Sequence, residues 1–179
     1  MKNNNNTIFQ SSEFTLRHYQ QSDEKSLHKN INDKEIFRFT TRIPYPYMLE
    51  DAKDWIQNCQ KMYRAKKKTE YVLVIDIDDE VAGSVSFHNI AENKAEIGYW
   101  LGKKFRGKGI MAKAVKVMTE IGFEKFGLEK IYANVFVDNI QSQNVLKKNK
   151  YKKEGIIKNY HIKDGKVKDA VLYAKVKMI

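Results

Sequence analysis

Cysteine is nearly missing from this chain of 179 residues: Cys59 stands alone, so no internal disulfide can form, which fits a reducing compartment. Proline is confined to Pro44 and Pro46, so residues that remove a backbone donor interrupt the chain at one place only. No long uncharged apolar run is present, which excludes a transmembrane helix. The start, Met1-Lys2-Asn3-Asn4-Asn5-Asn6, lacks the apolar segment of a secretory signal. The expectation is a cytoplasmic protein with no membrane partner. Acidic residues are the minority, 22 against 33 Lys and Arg, for a formal charge of +11. Such a field attracts polyanions, whether nucleic acid or cofactor phosphate, without choosing among them. Because the lysines are spread along the chain rather than gathered into one arm, nucleic acid binding is not expected as the primary function.

What is present suits one folded domain of modest size. Hydrophobic residues make up 42% of the chain, enough for one substantial core. Residues 1–12 read as a flexible polar tail and 13–179 as one domain without repeats. Phe14 to Tyr19 alternates as a first strand, and Ser22 is the cap candidate for a helix through Leu27 and Ile31. A short helical piece over 33–39 ends before Pro44 and Pro46. The aromatic loop Ile43-Pro44-Tyr45-Pro46-Tyr47-Met48 then leads to an amphipathic helix over 50–67 whose apolar face includes Trp55, Ile56 and Cys59. That helical setting points to packing for Cys59 rather than nucleophilic chemistry. Strands over 71–77, 81–88 and 95–101, joined by short turns, predict an antiparallel meander. A helix from Ile110, stopped near Gly127, precedes a strand over 130–137, a short helix over 141–148, and a closing hairpin turned by Asp164-Gly165. The expected class is α+β: a mostly antiparallel twisted sheet with one parallel strand-helix-strand crossover and flanking helices.

The stretch Phe105-Arg106-Gly107-Lys108-Gly109-Ile110-Met111-Ala112-Lys113 joins a strand to a helix. A helix start offers unpaired N–H groups and the positive end of a dipole, both suited to phosphate. Gly107 and Gly109 permit a sharp turn, and Arg106 and Lys108 add charge. The run Arg106-x-x-Gly109-x-Met111 resembles the [Gln/Arg]-x-x-Gly-x-[Gly/Ala] acyl-CoA pyrophosphate loop of the GNAT N-acetyltransferase superfamily, with Met111 where a small residue is usual. The segment from Asp138 to Tyr151 is similar to a second block of that family at Asn139, Ser142, Val145, Leu146, Lys148 and Tyr151, while Asn149 and Lys150 depart from it. Within the superfamily, Pro44-Tyr45-Pro46-Tyr47, Trp55-Ile56 and Glu96-Ile97-Gly98-Tyr99-Trp100-Leu101 resemble the ribosomal-protein-alanine acetyltransferase branch.

The resemblance implies acetyl-CoA as cosubstrate, no metal, and an amine acceptor, in the first place a protein N-terminus. Cofactor contacts are expected from Arg106, Gly107, Lys108, Gly109, Ile110, Met111 and Ala112, from Asn139 and Ser142, and from Lys148. An oxyanion donor is expected on the strand around Trp100 and Leu101. An amine must lose a proton before attacking a thioester. Glu96 is the candidate base, directly or through water, and also a candidate acceptor contact. Ser142 is the candidate acid toward the departing thiolate, since Leu146 stands where many relatives have a tyrosine. Tyr45, Tyr47 and His88 are further acceptor candidates. Attack from a ternary complex is expected, by a monomer or a homodimer. Alternatives left open are transfer to a polyamine or an aminoglycoside, with Glu50, Asp51, Glu92 and Glu96 as acidic contacts, and a non-catalytic acyl-CoA-binding or nucleic-acid-binding basic interaction module.

Overall fold

The computed structural model describes residues 6–178. It shows the expected α+β arrangement, a twisted sheet of eight strands in the order β1-β2-β3-β4-β5-β6-β8-β7. The strands are β1 (Thr7–Gln10), β2 (Thr15–Arg17), β3 (Tyr71–Ile77), β4 (Glu80–Ala91), β5 (Lys94–Leu101), β6 (Lys130–Phe136), β7 (Lys152–Lys163) and β8 (Lys166–Val176). The helices are α1 (Glu24–Ile31), α2 (Lys34–Phe39), α3 (Leu49–Arg64), α4 (Ile110–Lys125) and α5 (Ile140–Lys148). Five residues of the expected tail, 1–5, lie outside the described residues. Within that tail, Thr7–Gln10 pairs with β2 and adds an edge strand the pattern did not announce.

The two faces of the sheet carry separate cores. On one face α4 packs Ala114, Val115 and Met118 against Phe87, Ile97 and Ile131, and α5 adds Leu146. On the other, α1 and α3 bring Leu27, Ile56 and Cys59 onto Val72, Val74 and Val81. Strand alternation sends neighbouring residues of β3 to opposite cores, which is why that strand reads as continuously apolar. Each fully buried Leu or Ile in these layers contributes roughly 1.5–3 kcal/mol.

Local chemistry explains several element boundaries. Asp23, not Ser22, organises the start of α1: its carboxylate accepts from the Gln20 N–H at 2.8 Å and pairs with the buried Arg17, which also reaches Asp76. The α5 terminus settles the departure at Lys150. Lys150 N–H donates to Lys147 O at 2.9 Å and Tyr151 N–H to Leu146 O at 3.0 Å, with Lys150 at φ 62°. That pattern is a Schellman turn, with lysine in the left-handed position that glycine usually fills. The closing hairpin turns at Asp164 (φ 50°) and Gly165 (φ 69°), and its strands are longer than their apolar cores suggest.

One feature of the topology creates the site. β5 and β6 form the parallel pair, joined through α4, and their pairing covers Lys94↔Lys130, Ala95↔Ile131 and Glu96↔Tyr132. Beyond Glu96, β5 continues to Leu101 and β6 to Phe136 without pairing to each other. The sheet therefore splits at the carboxyl ends of these strands, where a crossover topology places ligands.

Candidate active site

The split opens into a cleft of about 1000 Å³. The glycine loop, α4 and α5 line one half; β4, β5 and the segment from α2 to α3 line the other.

The loop half is built from backbone. Gly107 (φ 81°) and Gly109 (φ 75°) take the left-handed conformation, and a Cβ at either would meet nothing within 4 Å. Glycine is thus required there by backbone strain rather than by space. Helix α4 starts at Ile110 with Gly109 as its cap residue, and no side chain caps it. The N–H groups of Ile110, Met111 and Ala112 belong to the first turn, which has no intrahelical acceptor for them. Met111 is only 8% exposed and packs in the core while still bordering the cleft.

Arg106 lines the cleft and is also held from behind. Its guanidinium donates to Leu101 O at 2.9 Å and to Asp33 at 3.0 Å and is ion-paired with Glu35. It therefore fastens the loop to the start of α2, with its charge largely matched there. Lys108 is exposed and does not line the cleft.

Helix α5 presents its first turn to the same half. Asn139 caps it, accepting from the Ser142 N–H at 3.1 Å. Ser142 is therefore not the cap, and its hydroxyl lies 2.8 Å from the Tyr99 hydroxyl. Leu146 is fully buried in the core. Lys148 sits on the rim, and Asn149 ties α5 to the loop helix by donating to Ala112 O at 3.0 Å.

The other half is built from side chains. Glu96 accepts from Asn89 at 3.2 Å and from Asn134 at 3.1 Å, the latter bridging β5 to β6 where they part. Its cross-strand partner is His88. The His88 ring has Nε2 at 2.8 Å from Ser86 Oγ and Nδ1 at 3.3 Å from Glu70, which in turn accepts from Arg42 at 2.7 Å. Burial alone would raise the Glu70 carboxyl, but the Arg42 hydrogen bond and the nearby His88 hold it below the usual range. Gly98 leaves this chain open to the cleft: a Cβ there would lie 3.3 Å from the imidazole.

Backbone direction narrows the oxyanion donor. Gly102 N–H donates to Ala82 O, and the pairs Ser84↔Trp100 and Ser86↔Gly98 continue that register. Even-numbered residues of β5, Trp100 among them, thus direct their backbone groups to β4, and odd-numbered ones, including Leu101, face the split.

Of the acceptor candidates, Tyr47, His88 and Glu96 come together at the cleft. Tyr45 does not: it is 39% exposed and its ring lies against Phe37. Asp51 and Asp54 line the cleft, whereas Glu50 and Glu92 stand outside it. Cys59 is buried, and burial raises its thiol to about 12, which suits packing rather than nucleophilic attack. Tyr99, Ser86, Glu70, Arg42 and Asn134 were not singled out by the sequence. The signal available was polarity at alternating positions of otherwise apolar strands, as at Ser86 in β4 and Asn134 in β6. Among the described residues, no group of His, Cys, Asp and Glu is placed to hold a metal ion.

Known proteins resemble this chain in sequence or in fold. An uncharacterized N-acetyltransferase, p20 of Bacillus licheniformis, is 29% identical over 111 residues, 61% of this chain and 62% of that protein. The match thus spans less than two thirds of that relative's length. A solved ribosomal L7/L12 alpha-N-protein acetyltransferase in complex with coenzyme A superposes with a TM-score of 0.86 at 24% identity, over 95% of this chain and 97% of the other. The microcin C7 self immunity acetyltransferase MccE, in complex with acetyl-CoA and AMP, gives a TM-score of 0.80 at 26% identity over 93% and 94%. The model of the acetyltransferase (GNAT) domain matches residues 13–152, and with the split sheet and glycine loop in place the chain belongs to that family.

Proposed function

We propose that this protein is an acetyl-CoA-dependent N-acetyltransferase acting on a primary amine, in the first place a protein N-terminal amine, in a ternary complex. The observation that carries the reading is a single cleft with an uncapped helix start at Gly109–Ala112 on one side and Glu96 on the other. The loop fits a diphosphate because its turn has no Cβ in the way and its first-turn N–H groups have no helical acceptor. Gly107, Gly109, Ile110, Met111 and Ala112 bind through backbone; Asn139 and Lys148 meet the rest of the cosubstrate. The long-range field of the +11 chain favours its arrival.

Acetyl-CoA supplies an acetyl group activated as a thioester. Glu96 draws the acceptor ammonium and takes its proton, directly or through water. The Leu101 N–H donates to the oxygen on which charge develops. Ser142 donates a proton to the departing sulfur. Tyr47 and His88 shape the acceptor side, and Cys59 takes no part. The protein works in the cytoplasm as a monomer or homodimer, without a membrane or a primary nucleic acid partner.

A ribosomal protein N-terminus as acceptor draws support from the similarity to the ribosomal L7/L12 enzyme. A second reading, a small polycationic amine, is favoured by Asp51 and Asp54 beside the acceptor half. Mass spectrometry of a panel of peptides and amines incubated with acetyl-CoA tests both. Acetylation at the α-amine of peptides, abolished by a blocked N-terminus, is the expected result; modification confined to polyamines or aminoglycosides moves the assignment to the second reading, and no product with any amine overturns the activity.

A further inference from the structure

Ser142 has a hydrogen-bonding partner on β5, Tyr99, whose chemistry bears on where its proton points. We propose that Tyr99 is a positioning residue that directs the Ser142 hydroxyl into the cleft, a role that rests on Ser142 being the donor to the departing sulfur. The Tyr99 hydroxyl lies 2.8 Å from Ser142 Oγ and 3.2 Å from the Ser142 carbonyl oxygen. A phenol has one proton, so it can serve only one of the two oxygens at a time.

The two arrangements differ in what they leave free. When Tyr99 donates to the carbonyl, its oxygen accepts from the Ser142 hydroxyl, whose proton is then held away from the cleft. When Tyr99 donates to Ser142 Oγ, the serine proton must point elsewhere, and the cleft is the open direction. The Ser142 N–H is already taken by Asn139, which fixes the residue on the first turn of α5. Burial pushes the Tyr99 phenol well above its usual range, so it keeps its proton and stays a donor. Tyr99 itself neither gains nor loses a proton overall. Ser142 passes its proton to the sulfur as the carbon–sulfur bond breaks, and the serine oxygen is reprotonated from solvent or by the proton released from the acceptor amine. A hydrogen bond from Tyr99 stabilises the serine oxygen while its proton is leaving.

A double-mutant cycle on kcat separates this role from simple packing. Ser142→Ala is expected to lower kcat by roughly 10- to 100-fold. Tyr99→Phe, which keeps the ring and removes only the hydroxyl, is expected to lower kcat by about 10-fold with the KM for acetyl-CoA unchanged. In the Ser142→Ala background the same change is expected to cost less than about two-fold, and Ser142→Thr, which restores a hydroxyl, restores the dependence on Tyr99. Calorimetric binding of acetyl-CoA by each variant controls for folding. If Tyr99→Phe costs the same factor with and without Ser142, or costs nothing when Ser142→Ala is severe, Tyr99 does not position Ser142. If Ser142→Ala keeps full kcat in an active enzyme, the donor reading of Ser142 is overturned and the role of Tyr99 falls with it.

Discussion

The two halves of the cleft are made of different material. The loop half offers backbone N–H groups set by two left-handed glycines and a helix start, while the β4–β5 half offers a carboxylate, an imidazole and the side chains behind them. Backbone groups cannot be mutated away, so the loop half should respond to changes in conformation. The other half should respond to changes in chemistry. On the proposed function, the same contrast separates a grip that suits any diphosphate from a floor that must match one acceptor.

The largest effect is expected at Glu96. Glu96→Gln keeps the shape and the reach of Asn134 but removes the charge and with it the proposed base, and kcat/KM for the amine should fall by about 10²- to 10³-fold. Its affinity for acetyl-CoA, read by calorimetry, should stay within about two-fold of wild type if the halves are independent. Next comes Gly109→Val. A branched residue in the left-handed region costs about 1–2 kcal/mol or more, so acetyl-CoA binding should weaken roughly 10-fold; equal loss of thermal stability and binding would point to general fold damage.

Arg106 sharpens the comparison from within the loop half, because its pairing with Asp33 and Glu35 fastens the loop to α2. Arg106→Ala leaves Asp33 and Glu35 without their partner, and urea unfolding should show a loss of about 1–2 kcal/mol. A much larger fall in acetyl-CoA affinity than in stability would show that Arg106 touches phosphate after all. A smaller change, in the opposite direction, is expected at the α5 terminus: Lys150→Gly relieves a left-handed lysine and should stabilise the fold by about 1 kcal/mol.

The smallest effect concerns acid. Glu70 is held below the ordinary carboxylate value of 4.5, so its contribution to stability is fully present above that value and is lost as pH falls through its lower folded value. Glu70→Gln should therefore lower stability near neutral pH and flatten its decline in acid, as followed by urea midpoints across that range.

How much of this was legible depends on how far apart the interacting residues lie. The strand-helix-strand unit, its glycine loop and the Asn139–Ser142 turn are local patterns, and the loop and the turn border the same cleft. The floor is not local. Arg42, Glu70, Ser86 and His88 meet only because β3 pairs with β4 and the loop after α2 folds back over them. Alternation along β5 separates Tyr99 from Gly98 and Trp100, yet nothing in the alternation says that α5 will cover the Tyr99 side. Arg106 was readable as a cation but not as one already matched, since Asp33 and Glu35 lie some seventy positions away. The edge strand Thr7–Gln10 carries little sequence signal because it is short, half polar and follows an asparagine run.

Titration of acetyl-CoA into wild type, Glu96→Gln and Gly109→Val by calorimetry tests the division of labour most directly. Wild type and Glu96→Gln should bind alike, and Gly109→Val should bind roughly 10-fold more weakly while still folded. No binding by wild type, or a loss at Glu96→Gln as large as that at Gly109→Val, would contradict a cosubstrate held by the loop and an acceptor served by the opposite half.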